Sequence, residues 1–329
     1  MTYHSSFFSS VTGSCHKLMR LLTSVSLLAI AVTQLSAQQP GANFSSESQL
    51  VVLHVAVRDR KGGYVGGLGQ DAFHVFENKQ RQPISFFNSQ DAAVTVGLLV
   101  DSSGSMAPNR DLVIAASMAF ATTSNPQDEI FVLGFNENIN RPLPADAPFT
   151  GDMPTLQSAL ARAITATGQT AVYSAVNEGL AYVKKGHFDR QVLIVVSDGG
   201  DNASSTTRAQ VLANAQASNA VIYTVALVDP LDTEADPGFL AQLSDLTGGQ
   251  AFRPKNIGAV ANVLQRIALD IRNMYTLGYA PASTSAAKKE PLRRVSVDAA
   301  LPTGQKLKTR TRRAYLSGDI AEETSSSAR

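Results

Sequence analysis

Five oxygen-bearing side chains, spread over three stretches of the chain, could do chemistry together. In GLLVDSSGSMAPN (97–109) an apolar run stops at Asp101 and continues into Ser103 and Ser105. These three alternate, so their side chains can face one point as the chain turns. In ATGQTAVYSAV (166–176) Thr170 opens a predicted helix after a glycine-containing turn, and in VVSDGGDN (195–202) Asp198 follows an apolar run. Two carboxylates and three hydroxyls are hard oxygen donors, which suit Mg²⁺ or Mn²⁺ and argue against zinc or copper. A divalent cation held by only two carboxylates is neutral overall, so an open coordination position favours an incoming carboxylate.

The elements that must position these residues follow from the apolar pattern. Strands are expected at 94–100, 130–135, 192–197, 221–227 and 250–253, and helices at 109–123, 153–165, 171–185, 206–218, 237–246 and 257–272. Apolar strands alternating with such helices predict an α/β domain over 92–272, a doubly wound, mostly parallel sheet with helices on both faces. Ligands on such sheets bind at the carboxyl ends of the strands, beside the switch in strand order, and Asp101 and Asp198 both fall at such ends.

Flanking this unit, residues 44–90 and 273–316 are β-rich. Neither is large enough to bury a good core alone, so the two are expected to meet in one small all-β sandwich with the α/β domain as an insertion. Residues 282–290 read as a loose loop and 317–329 as a disordered tail. Residues 1–37 read as a signal peptide: Lys17 and Arg20 precede the apolar run LLTSVSLLAIAV (21–32), with Ser36 and Ala37 behind it. That run is about half a membrane span, and a retained short anchor is the alternative. An exported protein follows, periplasmic, cell-surface or extracellular, touching membrane only through that segment. Cys15 is the single cysteine and lies ahead of the apolar run, so cleavage leaves a chain without thiol chemistry. Cleavage also removes two basic residues and no acidic ones, turning 28 Lys+Arg against 27 Asp+Glu into a slight acidic excess. Nothing in that balance points to nucleic acid.

The three segments together resemble the metal-ion-dependent adhesion site of von Willebrand factor type A domains. DSSGS, Thr170 in GQTAVY and SDG at 197–199 match the family's D-x-S-x-S, threonine and aspartate elements in order. The resemblance covers about 92–272. It implies Ser103, Ser105 and Thr170 as metal ligands, with Asp101 and Asp198 binding directly or through water. GGLGQDAFHVFENKQRQPISFF (66–87) and YTLGYAP (275–281) further resemble secreted bacterial proteins related to that family. DSSGS alone would equally suit a helix N-cap, and Thr170 could be cap and ligand at once. Asp201 and Asn202 read as loop residues capping the next helix.

The functional expectation is a secreted, non-enzymatic protein-binding module of adhesion or assembly. Its Mg²⁺ or Mn²⁺ would be completed by an Asp or Glu carboxylate of a protein partner, and the loops at 136–148 and 229–238 would supply the remaining contacts. The alternatives are a structural scaffold whose site is vestigial or only stabilising, and a Mg²⁺-dependent hydrolase, for which no phosphate-binding lysine or base stands at a fixed spacing. None of His4, His16, His54, His74 and His187 falls in a metal-ligand spacing. Lys306, Lys308, Arg310 and Arg312 recur every second residue and so share one face of a strand. They read as a solvated or edge-protecting face, or as a surface drawn to an acidic polymer or lipid headgroup. The oligomeric state is not legible.

Overall fold

The computed structural model describes residues 50–228, 233–281 and 292–316. The expected signal peptide (1–37), the loop at 282–290, the tail at 317–329 and residues 229–232 of the expected 229–238 loop lie outside the described residues.

The chain enters through β1 (Val51–Arg58), β2 (Phe73–Glu77), β3 (Gln80–Gln82) and β4 (Phe86–Asn88). It then alternates: β5 (Thr95–Asp101), α1 (Arg110–Thr123), β6 (Glu129–Phe135), β7 (Ile139–Asn140), α2 (Met153–Ala163), α3 (Val172–Val183), β8 (Gln191–Ser197), α4 (Arg208–Ala217), β9 (Val221–Ala226), α5 (Pro237–Thr247), β10 (Ala251–Phe252) and α6 (Val260–Arg272). It leaves through β11 (Met274–Tyr279), β12 (Leu292–Ala299), β13 (Lys308–Arg310) and β14 (Ala314–Leu316).

The middle portion is a six-stranded sheet in the order β10-β9-β8-β5-β6-β7. Every pairing is parallel except the short edge strand β7, which runs antiparallel to β6. Every residue of β5 and β9 is buried, as expected for strands covered on both faces. Helices α1 and α6 pack together, and α3, α4 and α5 pack in succession. Helix starts follow local chemistry: Asp152 accepts from the Thr155 N–H, Asp236 from the Phe239 N–H, and Thr207 forms a capping box with Gln210. Gly248 ends α5 with a left-handed φ of 81°, a geometry glycine adopts without strain.

The flanking strands make two antiparallel sheets, β13-β1-β11-β4 and β14-β12-β2-β3, each drawing strands from both sides of the α/β insertion. Leu53, Val55, Phe73, Val75, Tyr275, Leu277, Val295 and Val297 are among the side chains that fill the core between them. β12 alternates strictly between exposed and buried residues, whereas β11 is buried throughout. The reason is that the β1–β11 sheet is a middle layer. Leu53, Val55 and Val57 of β1 enter the sandwich core, while Ala56 and Met274 join the core of the α/β domain.

Polar groups fix that second contact. Asp270 of α6 has no exposed surface and accepts from Arg58 (2.8 Å), from the Tyr223 hydroxyl (2.6 Å) and from Arg310. Arg312, also buried, donates to the Gln216 carbonyl at 2.6 Å and to Asn219 at 3.3 Å. The basic run is therefore not the uniform outer face its spacing suggested. Lys306 and Lys308 are exposed, but Arg310 and Arg312 turn inward to bind the α/β domain and are lost to any polyanion surface.

His54 lies in the same layer, with Nδ1 3.2 Å from the Thr276 hydroxyl, which also accepts from Arg190 at 2.9 Å. Burial first, then the charges of Arg190 and Arg312, lower its pKa to about 3. A histidine held neutral in the fold and titrating near 6.5 when unfolded contributes stability above pH 6.5 that is lost as the pH falls toward 3. Thermal or denaturant melts should show the wild type losing roughly 2 kcal/mol more than His54→Gln between pH 7 and 5; parallel pH profiles would contradict the assignment. At the junction, Asp270→Ala leaves two guanidiniums and a tyrosine without their acceptor. Chemical denaturation should register a loss of about 3 kcal/mol or more, against a few tenths for an exposed carboxylate such as Asp111.

Candidate metal centre

β5 and β8 are neighbours on either side of the point where the strand order reverses, and both end at the same edge of the sheet. That edge brings four of the predicted residues, Asp101, Ser103, Ser105 and Asp198, together. Asp101, the last residue of β5, has no exposed surface. One carboxylate oxygen accepts the Ser103 N–H at 2.9 Å, and the other accepts the Ser197 hydroxyl at 2.7 Å. The Ser103 and Ser105 hydroxyls lie 3.0 Å apart, and Ser105 reaches Asp198 at 3.4 Å. The other oxygen of Asp198 accepts the Gly200 N–H at 2.9 Å. Ser105 is exposed while Asp101, Ser103 and Asp198 are buried, so the group opens to solvent on the Ser105 side.

Thr170 is buried at the same edge and joined to the others through the main chain. The Gly104 N–H donates to the Gly168 carbonyl at 3.1 Å, and the Thr170 carbonyl accepts from the N–H groups of Asn202 (3.0 Å) and Ala203 (3.1 Å). Gly168 has φ +84°, and a Cβ there would collide with the Glu137 carboxylate, which in turn accepts the Gln169 N–H. The left-handed φ is what favours glycine there.

Two expectations need correction. Thr170 does not cap a helix: α3 begins at Val172, and the acceptors for its first N–H groups come from another loop. Asp201 accepts from Tyr173 and Ser204 from Ser174, both at 2.9 Å, while Asn202 accepts the Thr170 N–H at 2.9 Å. Asp201 therefore serves the helix behind it, Asn202 holds the main chain of Thr170, and α4 is capped by its own Thr207. Ser102 and Ser197, neither of them among the expected ligands, also hold the site. The Ser102 hydroxyl accepts the Thr165 N–H at 2.6 Å, tying the first loop to the second. Its position between Asp101 and Ser103, facing the opposite way, was the available signal.

Burial drives the Asp101 pKa up to about 6; the hydrogen bonds from Ser103 and Ser197 act in the other direction, and the nearby charge of Asp198 adds to the rise. Among the described residues no three His, Cys, Asp or Glu side chains cluster as metal ligands, and the donor set here is instead rich in hydroxyls. Hydroxyls beside carboxylates are the donor chemistry that a small hard cation takes.

A parallel sheet with carboxylates and hydroxyls gathered at its switch point defines a class of domain rather than one protein. The sequence profile of the von Willebrand factor type A domain matches residues 96–266, more than half of the chain, and the chain belongs to that family. No curated protein matches the sequence. Solved structures are similar at low identity. BatB from Bacteroides thetaiotaomicron is 15% identical over 54% of this chain and 98% of its own, with a TM-score of 0.43. A von Willebrand factor type A protein from Catenulispora acidiphila is 12% identical over 84% and 77%, at 0.47. The vWF domain of the type V pilus tip protein Mfa5 from Porphyromonas gingivalis is 14% identical over 55% and 97%, at 0.45.

A carboxyl whose pKa is raised by burial costs stability as the pH rises from about 4 through 6. In metal-free protein at pH 7.5, Asp101→Asn keeps the shape and removes the buried charge, so its melting temperature should exceed that of the wild type. A lower melting temperature would mean that the Ser103 and Ser197 bonds outweigh the burial cost.

Proposed function

We propose that this chain is an exported, non-enzymatic adhesion or assembly module that binds a protein partner through a divalent cation, Mg²⁺ or Mn²⁺. Ser103, Ser105 and Thr170 hold the cation, with Asp101 and Asp198 acting directly or through water, and an Asp or Glu carboxylate of the partner completes its coordination. When bound, the cation supplies a Lewis-acidic position that accepts that carboxylate. The observation that carries this reading is the joining of Asp101, Ser103, Ser105 and Asp198 by hydrogen bonds across two neighbouring strand ends. With two carboxylates against a doubly charged ion, the site retains no net charge to repel a third.

Binding rather than turnover is supported by where the described histidines lie. His54 is buried between the sheet layers, His74 accompanies Arg81, and His187 pairs with Glu129 at the opposite end of the sheet. No helix among the described residues is long and apolar enough to cross a membrane. Export rests on the character of residues 1–37.

A second reading has one observation in its favour. Both oxygens of Asp101 already accept protein donors, as they would in a site that only stabilises its loops. Calorimetric titration of Mg²⁺ and Mn²⁺ into metal-stripped protein separates the two. Saturable binding that Asp101→Ala and Thr170→Ala both abolish is expected. Acetate, the simplest carboxylate, should then alter the electron paramagnetic resonance spectrum of the Mn²⁺-loaded protein. Absence of saturable binding would leave the scaffold, and binding without an acetate response would remove the partner carboxylate.

A further inference from the structure

The segment after Asp198, GGDNAS (199–204), folds back onto the start of α3 rather than leading away from the site. One Asp201 oxygen accepts the Tyr173 N–H at 2.9 Å and the Ser204 hydroxyl at 2.6 Å, and the other accepts the Ser204 N–H at 3.2 Å. Ser204 passes the support on by accepting the Ser174 N–H. Main-chain pairing of Ala171 with Asp201 closes the same contact. The first N–H groups of α3, unsatisfied within the helix, thus find acceptors about thirty residues further along the chain. A carboxylate there also faces the positive end of the helix dipole.

From this geometry we infer that Asp201 is a positioning residue for the metal site. It holds the loop of Thr170 against the loop of Asp198 and is not itself a ligand. The inference rests on the metal reading above. Its physical basis is that Asp201 already carries three donor bonds directed at α3 and its own loop, and coordination would require giving some of them up. Thr170 lies two residues ahead of the helix that Asp201 caps, and its own N–H is held by Asn202, next to Asp201. Losing the cap loosens the start of α3 directly behind Thr170, the only threonine of the set, while leaving Asp101, Ser103 and Ser105 untouched.

The test uses the full chain with Asp201→Asn, Asp201→Ala and Thr207→Ala, the last removing the cap of α4 as a control for a general loss of stability. Mn²⁺ affinity is measured by calorimetry, and exchange of the Tyr173 and Ser174 amide hydrogens is measured in metal-free protein. Asparagine caps helices about as well as aspartate, so Asp201→Asn should keep Mn²⁺ affinity within about threefold. Asp201→Ala should lose about tenfold or more, the usual cost of removing a group that orients a ligand, with faster exchange at both amides. Thr207→Ala should leave Mn²⁺ affinity unchanged. Equal losses in Asp201→Asn and Asp201→Ala, with the Tyr173 and Ser174 amides still protected in Asp201→Asn, would make Asp201 a ligand and overturn the inference. Unchanged affinity in Asp201→Ala would overturn it by showing a cap of structural value only. A wild-type chain that binds no Mn²⁺ would overturn the metal reading first and this inference with it.

Discussion

Asp101 is a carboxylate with no exposed surface at the end of a strand that has none either, and the surrounding loops are organised around satisfying it. Removing an ionised carboxyl from water is costly unless donors replace the lost hydration. Here the donors come from two strand ends: the Ser103 N–H from the same turn, and the Ser197 hydroxyl from the neighbouring strand. Ser197 also accepts the Gly199 N–H, so the turn that presents Asp198 is fixed by the group that satisfies Asp101. The close approach of Gly199 to the Asp236 carbonyl, at a φ of +87°, leaves that turn little freedom.

The three loops consequently lock in a cycle. Ser102 and the Gly104–Gly168 bond tie the first to the second, Asn202 and Asp201 tie the second to the third, and Ser105 with Ser197 returns from the third to the first. Such a cycle is what holding three side chains at one point requires, since each loop alone would be free to move. At the other end of the α/β domain the same solution recurs with charge: Asp270, Arg58, Arg310 and Tyr223 join the sandwich to the domain. Glu77 does likewise inside the sandwich, accepting from Arg293, Tyr279 and Tyr315.

Much of this was legible in the sequence, because periodicity reports burial directly. Apolar runs such as VTVGLLV and VLIVVS marked strands covered on both faces, and the short turns behind them marked the edge where the carboxylates and hydroxyls gather. The α/β class followed, as did the extra β module from the two flanks. What escaped were interactions whose partners are remote in the chain. Alternation showed that Arg310 and Arg312 share a strand face but not that α4 and α6 cover it. Capping preference identified Asp201 as a cap but not which helix it serves, since a neighbouring strand delivers it to α3. The antiparallel edge strand β7 is too short for any periodic signal.

The sandwich has a further consequence, in the order of folding. β1 pairs with β11 across an interval in which His54 and Thr276 are separated by 222 residues. Closing so long an unstructured loop is entropically expensive and slow. Prior folding of the α/β insertion shortens the effective loop, because it already holds the chain entering β5 close to the chain leaving α6, as the Arg272–Asp91 ion pair at 2.8 Å records. Until β11 arrives, the apolar edge of β1 has no partner. The inserted domain thus acts as the clamp that lets its own pedestal assemble.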